Sequence, residues 1–356
     1  MARIKIALAG IGNCASSLVQ SLYHYATTQS STENAGLAHP LLGSYTAGDI
    51  EVVAAFDIDR RKVGQDLNKA IFAEPNQAPR FAQVPASKVV VQRAPTLDGI
   101  TPELRELVQE SDAKPVDVAA ALKKSGAQIL VGMLPGGAAK ATQHYAEECL
   151  KAGVAYVNTA PVLLASDAQW AQRFKEAKTI VVGDDLMSQL GSTALHRALV
   201  DFLVKRGVHI VNTYQLDVGG GTESLDGIAR AREQKRQIKS ESVATEIPYD
   251  VPVTAGSTDY VYFLENRRES FFNLRGRYVG NAELALDIRF TSMDAPNSTS
   301  ILLDIIRSVQ IGIDRGFAGP IDEICAYGFK RPPRPIPLAL GEVIFDYFIK
   351  STRPAP

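Results

Sequence analysis

The chain has 356 residues, of which 46% are hydrophobic and 22% are charged. These proportions exclude extended disorder, and the length exceeds what one hydrophobic core usually serves, so two domains are expected. The formal net charge is -1 and basic residues alternate with acids, which argues against a nucleic-acid-binding protein.

Short apolar runs alternate with longer amphipathic segments from residue 4 to about residue 205. The apolar runs are residues 4–10, 50–59, 128–134, 154–160 and 179–185, and apolar residues follow helical spacing in 139–153 and 167–178. This alternation predicts βαβ units and a doubly wound parallel sheet, an α/β fold of the Rossmann-like type. The polar segment Tyr23–Ala47 breaks the alternation and is interpreted as an insertion.

The pattern changes after residue 210. Residues 209–221, 270–280 and 282–292 alternate as antiparallel strands with one solvated face, and residues 229–244 are highly charged. An amphipathic helix is predicted at 297–316, followed by a proline-rich connector at 330–337 and a helix over Leu338–Lys350. We therefore expect a Rossmann-like domain (1–205), an α+β catalytic and oligomerisation domain (206–310), and a C-terminal segment (311–356) that returns to the first domain.

The three cysteines, Cys14, Cys149 and Cys325, match no metal-ligand spacing, and their odd number argues against a disulfide framework. No metal is expected, and a reducing cytoplasm is the expected location. The N-terminus lacks the apolar region of a signal peptide, and no window approaches the ~20 apolar residues of a membrane span. The sequence thus indicates a soluble protein with no membrane partner.

A glycine loop follows the first predicted strand. Gly10, Gly12 and Ala15 form G-x-G-x-x-A between a strand and a helix, with Asn13 and Cys14 inside the motif. Gly10 permits the turn, Gly12 allows a pyrophosphate close to the backbone, and the helix N-terminus supplies N–H groups. The loop predicts a dinucleotide site, although a glycine turn without a ligand has the same pattern.

An acidic residue at the end of the second strand is the expected partner of the cofactor ribose. Asp57 holds this position in "FDID", further along than the usual separation of about 20 residues because of the insertion. A carboxylate here favours NAD over NADP. The alternative is a solvated strand-end residue.

Several longer motifs carry a resemblance to a known family. The segments "GIGNCASSLVQ", "VVAAFDID", "VQRAPTLDGI", "VGDDLMSQLGST" and "DAPNSTSILLDIIRSVQIGIDRG" occur in this order along nearly the whole chain. Together they resemble the myo-inositol-phosphate synthase family in its short bacterial and archaeal form. The resemblance implies NAD as cofactor, a homotetramer, and conversion of glucose 6-phosphate to 1D-myo-inositol 3-phosphate. Its steps are oxidation at C5, enolisation, aldol closure between C6 and C1, and reduction at C5.

The resemblance also implies the catalytic residues. The family's K-x-x-x-K falls on Lys235 and Lys239, its late lysine on Lys330, its aspartate before P-N-S on Asp294, and Asp185 would lie near both nicotinamide and sugar. Lysines suit this chemistry because an ammonium stabilises an alkoxide or phosphate and crowding brings its pKa into the working range. From composition alone, a solvated charged helix face is the favoured interpretation of Lys235 and Lys239, and only the order of the motifs favours catalysis.

Three positions depart from the family pattern. Met187 stands where the family has lysine, Arg268 replaces another catalytic lysine, and the usual G-G-N-x-D becomes Gly221 to Glu223 in "GGGTE". Arginine binds a phosphate or oxyanion but cannot act as a base at neutral pH. These changes leave open a carbocyclase that converts fructose 6-phosphate to a five-membered cyclitol phosphate, a plain NAD-dependent sugar-phosphate dehydrogenase, or an NAD-binding protein without enzymatic activity.

Hydroxyl and amide groups near two helix starts are candidates for the substrate phosphate. They are Ser192 and Thr193 in "GSTALH", and Asn297 and Ser298 in "APNSTS". Helix caps are the alternative interpretation. The open face of the second sheet is the physical reason to expect an oligomer.

Overall fold

The computed structural model describes residues 3–27 and 35–351. The strands are β1 (Ile4–Ala9), β2 (Ile50–Asp57), β3 (Val91–Arg93), β4 (Ile129–Gly132), β5 (Ala155–Asn158), β6 (Ile180–Val182), β7 (His209–Gly219), β8 (Val253–Tyr260), β9 (Arg267–Arg277), β10 (Glu283–Met293) and β11 (Gly319–Pro320). The helices are α1 (Asn13–Thr27), α2 (Leu67–Ala70), α3 (Val118–Ser125), α4 (Ala139–Ala152), α5 (Ala168–Glu176), α6 (Ser192–Lys205), α7 (Thr222–Arg230), α8 (Arg232–Ala244), α9 (Asp294–Asp314), α10 (Asp322–Gly328) and α11 (Leu338–Lys350). No helix in these ranges is long and apolar enough to cross a membrane.

A seven-stranded parallel sheet forms the larger layer, in the order β11-β6-β5-β4-β1-β2-β3. Its strands are short and almost wholly buried, as expected for a parallel sheet with covered faces. The strand order reverses between β1 and β4, and ligands of such sheets bind at this switch point. The predicted α/β, Rossmann-like class is confirmed.

A second sheet of four strands has the order β10-β9-β7-β8. β9 is antiparallel to both of its neighbours, whereas β7 and β8 are parallel. One face packs against α6 and α8 around a small core that includes Val200, Ile210 and Phe272. The other face exposes apolar side chains, namely Val211, Tyr214, Leu216 and Phe271.

The structure differs from the sequence prediction in several elements. β3, β8 and β11 were not predicted as strands, and α1 continues to Thr27, inside the segment interpreted as an insertion. Residues 28–34 of that segment lie outside the described residues. α9 begins at Asp294, one turn before the predicted start, while α11 has the predicted bounds.

A buried cluster of charged and polar side chains connects α9 to α10 and to the segment that precedes β2. The carboxylate of Asp304 is completely buried and accepts hydrogen bonds from His39 Nδ1 at 2.7 Å, Arg307 Nη2 at 2.6 Å and the Tyr327 hydroxyl at 2.7 Å. Arg307 is also fully buried and donates to the Tyr45 carbonyl at 3.3 Å. The hydrogen bond from His39 to this carboxylate raises the pKa of His39. The cluster joins α9, α10 and the segment that precedes β2.

Candidate active site

The turn between β1 and α1 is built for close backbone approach. Gly10 has φ +88°, and a Cβ there would lie 2.5 Å from the Met133 carbonyl oxygen, so glycine is required. At Gly12 a Cβ would meet no atom within 4 Å, and this residue lines a large cavity. Because α1 begins at Asn13, its unpaired N–H groups lie beside that space. The loop fits a dinucleotide pyrophosphate.

Asp57 ends β2 and lines the same cavity. Its Oδ2 accepts a hydrogen bond from the Ile11 N–H at 2.7 Å, and its Oδ1 accepts from the N–H groups of Ile58 and Asp59 at 2.7 and 2.8 Å. The carboxylate is therefore fixed next to the glycine loop. In this position it can accept from a ribose hydroxyl and repels a 2′-phosphate, which fits NAD.

The first residues of α1 form another part of the cavity wall, which Asn13, Cys14 and Ala15 all line. Asn13 Oδ1 accepts a hydrogen bond from the Gln77 N–H at 2.6 Å. Burial raises the pKa of Cys14 to about 12, although a hydrogen bond with Ser298 opposes this shift. A thiol with such a pKa is protonated at physiological pH, so Cys14 shapes the wall and is not a thiolate nucleophile.

We expect Gly12→Val to weaken NAD binding by at least ~10-fold, because the side chain would occupy the space beside the loop. Thermal unfolding should change little, since a Cβ at this position meets no neighbour. Calorimetric titration of NAD into the parent, Gly12→Ala and Gly12→Val proteins measures the effect, with Gly12→Ala intermediate. Equal affinities in all three proteins would contradict this placement of the cofactor.

Six cationic side chains line the cavity together with the cofactor loop, and four of them interact electrostatically with one another: Lys235, Lys239, Arg268 and Lys330. They come from α8, β9 and the segment after α10, so the fold joins distant parts of the chain. Lys235 and Lys239 lie one turn apart on α8 and both face the cavity, as their four-residue spacing predicts. Lys239 Nζ donates to the buried carboxylate of Asp217 at 2.6 Å.

Lys330 and Asp185 form one hydrogen-bonded pair. Lys330 Nζ donates to Asp185 Oδ1 at 3.0 Å and to the Leu186 carbonyl at 2.8 Å. Burial lowers the pKa of Lys330; Asp185 opposes this shift, and the nearby Lys239 and Arg268 add to it. Asp185 Oδ2 is buried and has no hydrogen-bond partner among the described residues. This oxygen is available to accept from a bound hydroxyl group.

Arg268 is held by Asp294 through three hydrogen bonds of 2.6 to 2.9 Å. Although burial disfavours the guanidinium, Asp294 raises the pKa of Arg268, so the group is a permanent cation. Burial and the negative charge of Asp294 raise the pKa of Glu223, which also lines the cavity. Arg268 can bind an anion here but cannot release a proton at neutral pH.

Lys235 is packed between two glycines from different parts of the chain. A Cβ at Gly227 would lie 2.7 Å from Lys235 Nζ, and a Cβ at Gly136 would lie 3.0 Å from it. Burial lowers the pKa of Lys235; Asp185 opposes this shift, while Lys239, Arg268 and Lys330 add to it. Lys235 therefore releases its proton more readily than an exposed lysine does.

The N-terminus of α6 supplies hydroxyl groups to the cavity. Ser192 and Thr193 line it, and Thr193 Oγ1 is buried without a partner among the described residues. Ser298 also lines it and donates to the Ala295 carbonyl at 2.8 Å. Asn297 is placed elsewhere: its amide donates to the Leu190 carbonyl at 2.8 Å and accepts from the Leu190 N–H at 2.7 Å. It fixes the loop before α6 and does not line the cavity.

Met187 forms an apolar part of the wall where the family pattern has lysine. It is 3% exposed, and its sulfur lies 3.7 Å from Arg197 Nη1. Arg197 forms a buried ion pair with Glu246 at 2.7 Å. The cation of Arg197 therefore lies behind Met187, but the carboxylate of Glu246 already neutralises it.

Asp226 and Arg230 of α7 lie beside the cavity, which Arg230 lines, and no sequence motif indicated either residue. Asp226 accepts from the Gly137 N–H at 3.1 Å and pairs with Arg230 at 2.5 Å. Arg230 Nη1 donates to the carbonyls of Asp98 and Gly99 at 3.3 and 3.4 Å. The only sequence signal was an Asp–Arg pair at helical spacing, which exposed helices also show.

The fold and this cavity define a dinucleotide-binding enzyme of the Rossmann-like type. The inositol-3-phosphate synthase of Mycolicibacterium smegmatis is 40% identical to the chain over 356 residues, 98% of each protein. The chain belongs to the myo-inositol-phosphate synthase family. The protein of the same name from Corynebacterium glutamicum is 40% identical over 355 residues, 97% of this chain and 98% of the relative. A family model described as "Myo-inositol-1-phosphate synthase" matches residues 191–295.

Solved structures show the same architecture. The crystal structure of Ari2 has a TM-score of 0.78 and 28% identity, and the match covers 98% of this chain and 100% of Ari2. The inositol-3-phosphate synthase of Caenorhabditis elegans has a TM-score of 0.76 at 14% identity, covering 98% and 86%. Family membership confirms the resemblance inferred from the motifs, and with it an isomerase-type enzyme with NAD as its cofactor.

Proposed function

We propose that this chain converts glucose 6-phosphate to 1D-myo-inositol 3-phosphate by NAD-dependent intramolecular aldol cyclisation. The observation that carries the proposal is one cavity lined by both the glycine loop and the four cations. The inositol-3-phosphate synthases that are 40% identical over nearly the full length support the substrate. A cofactor and an anionic sugar can thus lie side by side in one cavity.

Bound NAD would supply a hydride acceptor that returns the hydride to the same carbon, so the reaction has no net redox change. The lysines and Arg268 stabilise the oxygen anions that develop first at C5 and then at C1. The lowered pKa of Lys235 favours its exchange of a proton with the sugar. The Asp185 oxygen that has no partner among the described residues can accept a hydrogen bond from a sugar hydroxyl and so orient the open-chain sugar.

The substrate phosphate is assigned to the N-terminus of α6. Ser192 and Thr193 supply hydroxyl groups there, and the helix dipole favours an anion. Ser298 of α9 supplies a further hydroxyl group to the same cavity. The buried, unpartnered hydroxyl of Thr193 supports this assignment, since such a group gains a partner when an anion binds. Asn297 is left out because it holds Leu190 instead.

Product analysis tests the proposal. The purified protein is incubated with NAD and either glucose 6-phosphate or fructose 6-phosphate, and the product ring is identified by NMR. We expect a six-membered cyclitol phosphate from glucose 6-phosphate, with no accumulation of NADH. Stoichiometric NADH would indicate a plain dehydrogenase, and cofactor binding without turnover would indicate a non-enzymatic protein.

The apolar wall at Met187 and the arginine at position 268 favour a second candidate function, which is cyclisation of fructose 6-phosphate. With the 2-ketose fructose 6-phosphate, the same oxidation and enolisation would direct C6 onto C2 and close a five-membered ring. A five-membered product from fructose 6-phosphate, with none from glucose 6-phosphate, would replace the first proposal by this one.

We further propose a cytoplasmic homotetramer with three functional parts. The exposed apolar face of the second sheet supports assembly, because burial of Tyr214, Leu216 and Phe271 against another subunit would remove apolar surface from water. Residues 1–205 would bind the cofactor, 206–293 would supply catalysis and assembly, and the rest would return to the first part. The second boundary moves from 310 to 293 because the apolar residues of α9 pack in the larger core.

A further inference from the structure

Asp217 lies in β7, behind Lys239, and does not itself line the cavity. Its carboxylate is completely buried and receives three side-chain hydrogen bonds. Lys239 Nζ and Gln215 Nε2 donate to Oδ2 at 2.6 and 2.8 Å, and the Ser270 hydroxyl donates to Oδ1 at 2.8 Å. Asp217 therefore has one fixed position and reaches the cavity only through Lys239.

The charge of this carboxylate is fixed as well. Burial alone would raise the pKa of Asp217, but the positive charges of Lys239 and Arg268 outweigh it and lower the pKa to about 2. Asp217 is therefore ionised at every pH at which the protein is expected to work. A buried carboxylate of this kind stabilises the ammonium form of its partner.

A second row of hydrogen bonds holds Gln215. Since a carboxylate only accepts, Gln215 must direct its NH₂ group to Asp217 and its oxygen to His196 Nδ1, 3.2 Å away. His196 Nδ1 therefore carries a proton and donates. Burial lowers the pKa of His196 to about 4, and its Nε2 lies 2.7 Å from the oxygen of Thr213, whose hydroxyl donates to the Asn273 carbonyl at 2.8 Å. The orientation of the Gln215 amide thus follows from one buried negative charge.

Lys235 has no such partner, although it lies only one turn away on α8. Within the described residues, no carboxylate is within ion-pairing distance of its ammonium group. Its neighbours on either side are Gly136 and Gly227, which offer no side chain to hold it. Two lysines one turn apart on the same helix thus differ in their surroundings: Lys239 is paired with a buried carboxylate and Lys235 is not.

We propose that Asp217 is a positioning residue that gives the two lysines different tasks, an inference that rests on the proposed function. Asp217 holds Lys239 as a fixed ammonium that stabilises oxygen anions of the sugar. Lys235 is left to take the proton of the C5 hydroxyl as C5 loses its hydride to NAD. The same proton returns to that oxygen when the hydride returns to C5, so hydride and proton both balance over the cycle.

The activity of Asp217→Asn over pH 6 to 9.5 is the first test. In this variant the ammonium of Lys239 is buried without a counter-charge, so Lys239 should lose its proton more readily. We expect kcat to fall by ~100-fold at pH 7.5 and the alkaline fall in activity to move to lower pH. A uniform loss at all pH values, or activity within ~3-fold of the parent, would overturn the proposal.

Thr258→Val is the matched control, because the Thr258 hydroxyl donates to the backbone carbonyl of Asp217 at 2.9 Å and not to its carboxylate. This variant should keep the pH profile of the parent. NAD affinity is measured in both variants to show that the cofactor part is intact. A shifted profile in Thr258→Val would assign the effect to local packing and count against Asp217.

A second measurement does not depend on turnover. Trace labelling with acetic anhydride, read by mass spectrometry, reports the fraction of each lysine that is an unprotonated amine. At pH 7.5 we expect Lys235 to react faster than Lys239 in the parent, and Asp217→Asn to raise the reactivity of Lys239 by ~10-fold. Equal labelling of both lysines in the parent would refute the division of tasks even if the cyclised product is formed. The reverse result, differential labelling without product, would refute the proposed function alone.

Discussion

Replacing Lys235 with methionine is expected to lower kcat for cyclisation by at least ~10³-fold while NAD still binds. Methionine keeps the length and apolar stem of the side chain, so the packing between Gly136 and Gly227 is largely retained. The ammonium that exchanges a proton with the sugar is removed. Turnover is measured by product formation from glucose 6-phosphate, and NAD binding by calorimetry.

Two further variants separate charge from proton exchange at this position. Lys235→Arg keeps a cation that cannot release its proton at neutral pH, so it should remain nearly inactive. Arg236→Met removes an exposed cation from the same helix and should change kcat by less than ~3-fold. An active Lys235→Arg enzyme would show that Lys235 contributes only charge.

The largest expected effect on stability is that of Asp304→Ala. The change leaves Arg307, which is 0% exposed, without its counter-charge, and removes the partner of His39 and Tyr327. Breaking a buried ion pair in this way should lower the free energy of unfolding by about 3–5 kcal/mol. Urea denaturation followed by circular dichroism measures the difference.

Asp346→Ala is the comparison for this variant. Asp346 lies 3.8 Å from Nε2 of the same histidine, but its side chain is about half exposed. Its removal should lower the free energy of unfolding by less than ~1 kcal/mol, since water screens the pair. If Asp304→Ala also lowers the free energy of unfolding by less than ~1 kcal/mol, the buried cluster adds no net stability.

The parallel sheet was predictable because its signals are local. A buried strand such as β4 is a continuous apolar run, and a helix such as α4 repeats apolar residues at its own period. β3 and β11 are too short for such a pattern, and β8, "VTAGSTDY", has few apolar residues. β8 is held by its pairing with β7 and its contacts with α8. These strands exist through tertiary contacts that a local pattern does not contain.

The candidate site shows the same division. The glycine loop, Asp57 and the lysines of α8 could be proposed from motifs and the family resemblance, and the structure brings them to one cavity. Asp217 could not, because it is one inward-facing residue of an alternating strand and belongs to none of the motifs. Asn297 had a suitable type and position, but its side chain has its hydrogen bonds satisfied by Leu190.

Arg230 donates to the Gly99 carbonyl, and Asp226 accepts from the Gly137 N–H. These contacts tie α7 to two loops that line the cofactor cavity. In the proposed reaction the oxidant is regenerated in every round, so one bound cofactor molecule can serve many successive rounds. The cell's ratio of oxidised to reduced nicotinamide would then have little influence on the rate.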